Sequence, residues 1–300
     1  MGDGETIEYF NRYTGRVERE QVYGAAWLNW TYANPIGQLA RELLAKRAVF
    51  SRWYGWRMDR PASRAKVLPF IREFGVDASE FARAPEEFAT FNEFFYRQLK
   101  PGARPVDAGP NTAVFPADGR HLGFPDVSQA DAVFVKGQRF DLTALLGDAQ
   151  LAAQYARGTL VLSRLCPVDY HRYHFPLGGV PGEPRLINGP LYSVSPIALR
   201  RNIAYLWQNR RVITPLATER FGTVLLLEIG ATNVGSMVQT FTPGKPAAKG
   251  GEKGYFKFGG SSTITLFEPG RVKLAEDLIE NTKQARELYA RVGDRMGVCC

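Results

Sequence analysis

The stretch Phe256-Lys257-Phe258-Gly259-Gly260-Ser261-Ser262-Thr263-Ile264-Thr265-Leu266-Phe267 sets a glycine pair against two hydroxyls and then a β-prone run. Glycine lets the backbone reach strained or positive-φ conformations that other residues resist. A hydroxyl held beside a strained peptide can attack the carbonyl just before it, which is what self-cleavage at serine requires. A cut at Gly260–Ser261 would leave a second chain of 40 residues. Taken alone, Gly-Gly-Ser-Ser is also ordinary turn material between two strands.

Two other segments bear on that choice. Asp169-Tyr170-His171-Arg172-Tyr173-His174-Phe175-Pro176 holds two of the three histidines, and Pro116-Ala117-Asp118-Gly119-Arg120 places a carboxylate on a tight turn. Ser, His and Asp are the parts of an activated hydroxyl nucleophile, recognised by role and not by chain order. On a flat strand His171 and His174 face opposite ways, so they either have distinct jobs or sit on an irregular stretch. Asp169 either orients one of them or caps a turn. His121 reads as an ordinary polar histidine. Glu228 and Thr232 either line the site or end a strand.

In this order the motifs resemble phosphatidylserine decarboxylases, which are pyruvoyl-dependent enzymes. The likeness extends to Asn29-Trp30-Thr31-Tyr32, Asn92 to Lys100 with Arg104-Pro105-Val106, Leu191-Tyr192-Ser193-Val194, Glu228 to Ser236, and Lys253-Gly254-Tyr255-Phe256. It runs from about Asn29 to the C-terminus. Many family members carry Leu-Gly-Ser-Thr where this chain has Gly259-Gly260-Ser261-Ser262; alignment on Phe256 and Phe267 favours Ser261 as the modified serine. The resemblance implies that Ser261 attacks the Gly260 carbonyl with help from His174 and Asp118. The resulting ester eliminates and hydrolyses to a pyruvoyl group at residue 261. That self-made cofactor forms a Schiff base with phosphatidylserine, carbon dioxide leaves, and phosphatidylethanolamine is released. The resemblance gives the protonation to His171; from the residues alone the two histidines are interchangeable. It further implies a β chain of residues 1–260 and an α chain of residues 261–300 that stay associated, with further dimerisation left open. The reading includes no metal.

Three hundred residues, 45% of them hydrophobic, suffice for a sizeable core. No apolar run approaches the roughly 18 residues of a spanning helix. The acidic start lacks an apolar leader region, and three cysteines, Cys166, Cys299 and Cys300, fit a reducing compartment. Met1-Gly2 with Thr6 formally fits a myristoylation pattern, and Cys299-Cys300 is a weak lipidation signal. The net charge of +8 is uneven: Arg41 to Glu73 holds nine basic and three acidic residues, with four of the five tryptophans in or beside it. Basic residues among Trp and Tyr suit an anionic lipid surface. Single-stranded nucleic acid or a plain solvated face are alternatives for the same composition; the expected partner is phosphatidylserine in an anionic membrane, with no nucleic acid. The expected placement is peripheral, on the cytoplasmic face, docked through Tyr23 to Trp56 with Trp53 and Trp56.

The expected fold is α+β: a helical N-terminal region over 1–100, then a largely antiparallel β core over 101–300 with the short C-terminal chain paired into the same sheet. Helices are expected from Asn34-Pro35, from Pro61 to Phe74 with Gly75 as its stop, from Pro85 to Leu99, around Ala149 to Tyr155, and from about Ala275 to Val292. Strands are expected at 133–135, 159–165, 185–187, 223–229, 235–242, 263–267 and 272–274. The rival functional reading is an uncleaved Ser-His-Asp lipid or ester hydrolase, disfavoured because Ser261 lacks the Gly-x-Ser-x-Gly turn. A non-enzymatic rival is a basic membrane-binding module with no chain cleavage.

Overall fold

The run after the glycine pair becomes a strand, Ser261–Phe267, with all seven residues buried. It pairs antiparallel with Thr159–Leu165 on one side and Thr223–Gly230 on the other. A strand covered on both faces favours apolar or β-branched residues, which fill most positions of all three; the polar exceptions, Ser261, Ser262, Ser163, Arg164 and Glu228, gather toward one end of the three strands. The computed structural model describes residues 7–20, 55–130, 140–194, 196–199, 202–231, 237–258 and 261–300.

Around this centre, ten strands among the described residues form one sheet. Its order is Arg16–Arg19, Glu8–Asn11, Glu287–Ala290, Gly119–Phe124, Thr159–Leu165, Ser261–Phe267, Thr223–Gly230, Arg211–Ala217 and Val180–Pro181, with Arg185–Ile187 also on Arg211–Ala217. Glu8–Asn11 runs parallel to Glu287–Ala290; the other described pairs in this sheet are antiparallel. Residues 261–300 thus supply two strands of the main sheet, and the α+β expectation holds.

Alternation sorts the central strands into two faces. Leu160, Leu162, Leu225, Leu227, Ile264 and Leu266 enter a core covered by the helices Leu142–Leu146, Ala149–Gln154, Pro196–Leu199 and Tyr205–Gln208. Val161, Val224, Leu226 and Phe267 face the other way, against Leu274, Leu278 and Met296. Those come from the helix Glu276–Lys283 and a small sheet of Thr112–Val114, Arg295–Cys299 and Val272–Leu274. A third cluster gathers Phe70, Phe81, Phe88, Phe91, Phe94 and Phe95 from the N-terminal helical segments and adds Phe258, three residues before Ser261.

Several expected elements change. Pro61–Lys66 is a 3-10 turn leading into the α-helix Val67–Phe74; Pro69 sits in its first turn, where its missing N–H costs nothing. Gly75 stops that helix at φ 60°. The helix expected over 85–99 shrinks to a 3-10 turn at Pro85–Glu87 and an α-helix at Phe91–Phe95 capped by Thr90. The last expected helix ends at Lys283, because Ala285 takes a left-handed φ of 53° and turns the chain into the strand Glu287–Ala290. A hairpin, Glu8–Asn11 with Arg16–Arg19, precedes the helical segments. The helix from Asn34-Pro35, the strand at 133–135, the myristoylation pattern at 1–6, Thr232, Gly260, Trp53, and all of Tyr23 to Trp56 except Gly55 and Trp56 lie outside the described residues. No helix among the described residues is long and apolar enough to cross a membrane.

Candidate active site

Ser261 opens its strand opposite Leu165 and Gly230. It is fully buried, and its Oγ has no hydrogen-bond partner. The same holds for the hydroxyls of Ser262 and Thr263. An unpaired buried hydroxyl costs on the order of 1–3 kcal/mol, so three in succession mark a place where packing is not optimised for stability alone. Alternation puts Ser261 and Thr263 on one face and Ser262 on the other, in a row with Arg164 and Ile229.

His174 lies over the Ser261 face. It lines a small cavity with Glu228, Lys253, Thr263, Thr265 and Pro116. Its Nδ1 donates to the Gly250 carbonyl at 2.9 Å, since a carbonyl only accepts. Its Nε2 is therefore the basic nitrogen, and the Tyr170 hydroxyl sits 3.3 Å from it. Burial lowers the pKa of His174, which favours the neutral imidazole that a general base needs. Asp118 partly opposes that shift through its charge. Its carboxylate is held elsewhere: Arg104 Nε donates to both oxygens at 3.0 and 2.9 Å, Arg104 Nη2 adds a bond at 2.7 Å, and the Val292 N–H adds another at 2.9 Å. Asp118 thus acts on His174 through space, with no direct hydrogen bond between them. The turn that carries it depends on Gly119, where a Cβ would stand 2.5 Å from the Arg164 carbonyl oxygen.

His171 occupies different surroundings. Its ring packs tilted against Phe95, centroids 3.8 Å apart, and its Nδ1 donates to the Asp169 carbonyl at 2.9 Å. Its Nε2 is buried without a partner, and burial lowers its pKa to about 3. The Asp169 carboxylate accepts from Arg120 and from the Cys166 N–H, both at 2.7 Å. Asp169 therefore does both things the sequence left open: its carboxylate pins a turn, and its carbonyl orients His171. The residues 171–174 straighten only from Arg172 to His174, so one histidine meets the helical layer and the other the sheet.

Of the other residues at the site, Asn92, Phe258, Glu228 and Lys253 stand in segments quoted from the sequence, but only Glu228 is singled out there. Asn92, fully buried, accepts the Phe258 N–H at 2.7 Å and donates to Asp59 at 2.9 Å. Phe258 also packs on Phe91 and Phe95, at 5.2 and 4.9 Å. The segment leading to Ser261 is thereby fastened to the helical layer. Glu228, across from Thr263, forms a fully buried ion pair with Lys253 at 2.8 Å, and Gln239 bonds to both. Burial pushes the Glu228 carboxyl up and the Lys253 ammonium down, each opposed by its partner. The sequence signal for Glu228 is a lone acid at the end of an apolar strand.

His121 uses both nitrogens. Nδ1 accepts from Ser163 at 2.9 Å and Nε2 donates to the Ala290 carbonyl at 3.2 Å, so no function need be assigned to it. Burial lowers its pKa to about 3 as well. A histidine held below its unfolded value of about 6.5 contributes stability that is complete above that pH and lost as pH falls toward 3. His121 and His171 together would take away up to about 2.7 kcal/mol per pH unit below 6.5. Asp169 and Glu228, with raised pKa values, oppose this. We expect the full-length chain to lose about 1–3 kcal/mol between pH 6.5 and 5 in denaturant unfolding. His171→Gln should flatten that slope, and an unchanged midpoint in the parent chain would contradict the assignment.

The arrangement is a buried, unpartnered serine hydroxyl opening a central strand, with His174 on a cavity over that face of the sheet and His171 against the helical layer. Comparison with known proteins agrees in kind. The phosphatidylserine decarboxylase family model matches residues 91–297. A protein of Fusobacterium nucleatum named phosphatidylserine decarboxylase proenzyme is 43% identical over 293 residues, covering 98% of each chain. Proteins of the same name from Desulfitobacterium hafniense and Chlamydia muridarum are 40% and 43% identical, over 97–98% of each chain. With both histidines and Ser261 inside the region that the family model matches, and relatives aligned over nearly the whole chain, this chain belongs to the phosphatidylserine decarboxylase family.

Proposed function

We propose that the chain cleaves itself between Gly260 and Ser261 and decarboxylates phosphatidylserine with the group so formed. The observation that carries this is the buried, unpartnered Ser261 hydroxyl on the sheet face that His174 overlies. In the proposed maturation, His174 Nε2 takes the hydroxyl proton as Oγ attacks the Gly260 carbonyl, and the peptide bond gives way to an ester. Loss of the Ser261 α-proton expels the Gly260 carboxylate and leaves an enamine. Its tautomer consumes one water, releases ammonia and ends as a ketone on residue 261. That pyruvoyl ketone supplies an electron sink when the substrate's amine condenses with it. The chain's own parts then position and protonate. His171, with Nδ1 anchored and Nε2 an open acceptor, is suited to take up a proton at Nε2 and pass it to the α-carbon after carbon dioxide leaves. The apolar wall of Phe95 and Phe258 excludes water there.

The lipid substrate keeps the enzyme at a bilayer surface. Trp56, 52% exposed with the Arg60 guanidinium 3.9 Å over its ring, suits an anionic headgroup layer.

Intact mass under denaturing conditions tests the reading. Purified active protein should show a chain of residues 1–260 and a second of about 4.5 kDa, blocked at its N-terminus. His174→Ala and Asp118→Ala should accumulate the full-length precursor. His171→Ala should cleave yet lose at least about 100-fold in decarboxylation, the scale of one general acid–base residue. A single full-length mass from active protein would end the proposal. Cleaved protein should also sediment with phosphatidylserine vesicles and come off as salt rises.

A further inference from the structure

A second polar cavity, of about 330 Å3, lies between the helical layer and the sheet. That is headgroup-sized. Four arginines line it: Arg97, Arg104, Arg120 and Arg291. Three have carboxylate partners there or nearby. Arg104 pairs with Asp118 and Glu80, Arg120 with Asp169 and Glu20, and Arg291 with Glu80 at 3.5 Å. Arg97 has none. It is 4% exposed, its guanidinium lies 4.9 and 5.1 Å from the Phe81 and Phe94 rings, and its Nη2 reaches only the Val168 and Asp169 carbonyls. Its Nε and Nη1 are buried with no partner. Asp118 and Asp169, also on the cavity wall, favour its charge from a distance, but neither makes an ion-pair contact with it, and a buried guanidinium with two idle donors is costly.

Neither histidine lines the cavity, but two residues of its wall, Asp169 and Tyr170, bond to them. The Asp169 carbonyl accepts from Arg97 and from His171 Nδ1. Tyr170, on the cavity wall, has its hydroxyl 3.3 Å from His174 Nε2. We propose that Arg97 binds an oxyanion in this cavity, and that the oxyanion is the phosphodiester of the lipid headgroup. This rests on the decarboxylase reading and adds a substrate-binding residue to it. The guanidinium fork matches two phosphate oxygens. The substrate's carboxylate is the poorer occupant. Its charge leaves with the departing carbon dioxide, so an ion pair to it would stabilise the ground state more than the transition state and slow the reaction. The phosphodiester keeps its charge throughout, so Arg97 tightens binding without opposing the chemistry. Burial draws the Arg97 pKa down to about 10, which leaves it charged at neutral pH.

The test uses soluble probes. Wild-type enzyme acting on dihexanoyl phosphatidylserine should be inhibited about tenfold or more strongly by glycerophosphoethanolamine than by ethanolamine, the scale of one charge-assisted contact. Equal inhibition would overturn the proposal without any variant. Arg97→Gln should still cleave, raise KM about 10- to 100-fold with a small change in kcat, and erase the difference between the two competitors. Arg97→Lys keeps the charge without the fork and should fall between; it covers the case in which Arg97→Gln does not fold. A fall in kcat at unchanged KM would refute phosphodiester binding. Separately, uncleaved Ser261→Ala should gain thermal stability from glycerophosphoserine, and the same chain carrying Arg97→Lys should gain less. If inorganic phosphate stabilises it equally well while KM is insensitive to Arg97, the site takes free phosphate and the lipid assignment falls. If the headgroup binds through Arg97 but wild-type protein releases no carbon dioxide, the decarboxylase reading fails and the oxyanion site stands.

Discussion

Ser261→Ala is expected to remain one chain of 33.5 kDa and to release no carbon dioxide from phosphatidylserine. The reason is chemical: without the hydroxyl there is no ester, no elimination and no ketone. The structure makes this substitution unusually clean. The Ser261 Oγ is buried and unpartnered, so its removal deletes no hydrogen bond and relieves a desolvated polar atom. Unfolding free energy should be unchanged or slightly higher, and inactivity cannot then be blamed on misfolding. Ser262→Ala is the matched control. Its hydroxyl is equally buried and unpartnered but faces the opposite side of the sheet, beside Arg164 and away from His174. It should cleave and retain most activity. Mass spectrometry and a carbon dioxide release assay on the two variants suffice. Cleavage in Ser261→Ala, or its loss in Ser262→Ala alone, would move the nucleophile to residue 262.

Lys253→Met is expected to destabilise the chain by about 3–5 kcal/mol, because it leaves Glu228 buried with no cation. Gln239 still donates to Glu228 at 2.8 Å but brings no charge. The carboxylate would have to take up a proton, so the loss should shrink as pH falls toward 5. Lys253→Met combined with Glu228→Leu should recover more than half of it, since a buried pair swapped for apolar side chains of similar volume is often neutral. Denaturant unfolding in the Ser261→Ala chain, where cleavage does not complicate the baseline, measures both. Should the double variant be no more stable than Lys253→Met, the pair's hydrogen bonds, and not its charge balance, hold the strands Thr223–Gly230 and Glu252–Phe256 together. The pair matters to the site because Glu228 faces Thr263, two residues beyond Ser261.

Features carried by local pattern are legible in the residues themselves. Residues 159–162 and 223–227 are short unbroken apolar and β-branched runs, too short for a typical helix, and each opens a strand. Gly75 marks a helix end because glycine takes the left-handed cap at little cost. The serine, the two histidines and Asp118 stand out as residue types suited to one chemistry. Where two local signals compete, the expectation from sequence errs. From Ala275 onward helix-forming residues continue past Lys283, and the alternation in Glu287-Leu288-Tyr289-Ala290, with Leu288 and Ala290 buried, is only four residues long. The left-handed Ala285 that separates the two gives no warning in sequence, since alanine favours helix.

What the sequence alone determined, then, is which groups are present and which short segments extend or coil. Tertiary structure decided who meets whom. Asn92 holds Phe258 across 166 residues, Arg120 holds Asp169 across 49, and Arg104, not a histidine, takes the Asp118 carboxylate. It also decided that Ser261 and Ser262, chemically identical neighbours, face opposite sides of one sheet. The physical reason is that a side chain's pKa, its free lone pairs and its idle donors depend on burial and on partners brought together by folding. By composition Arg97 is one of 38 basic residues. Only the packing of Phe81 and Phe94 around it leaves its guanidinium buried with two donors unpartnered.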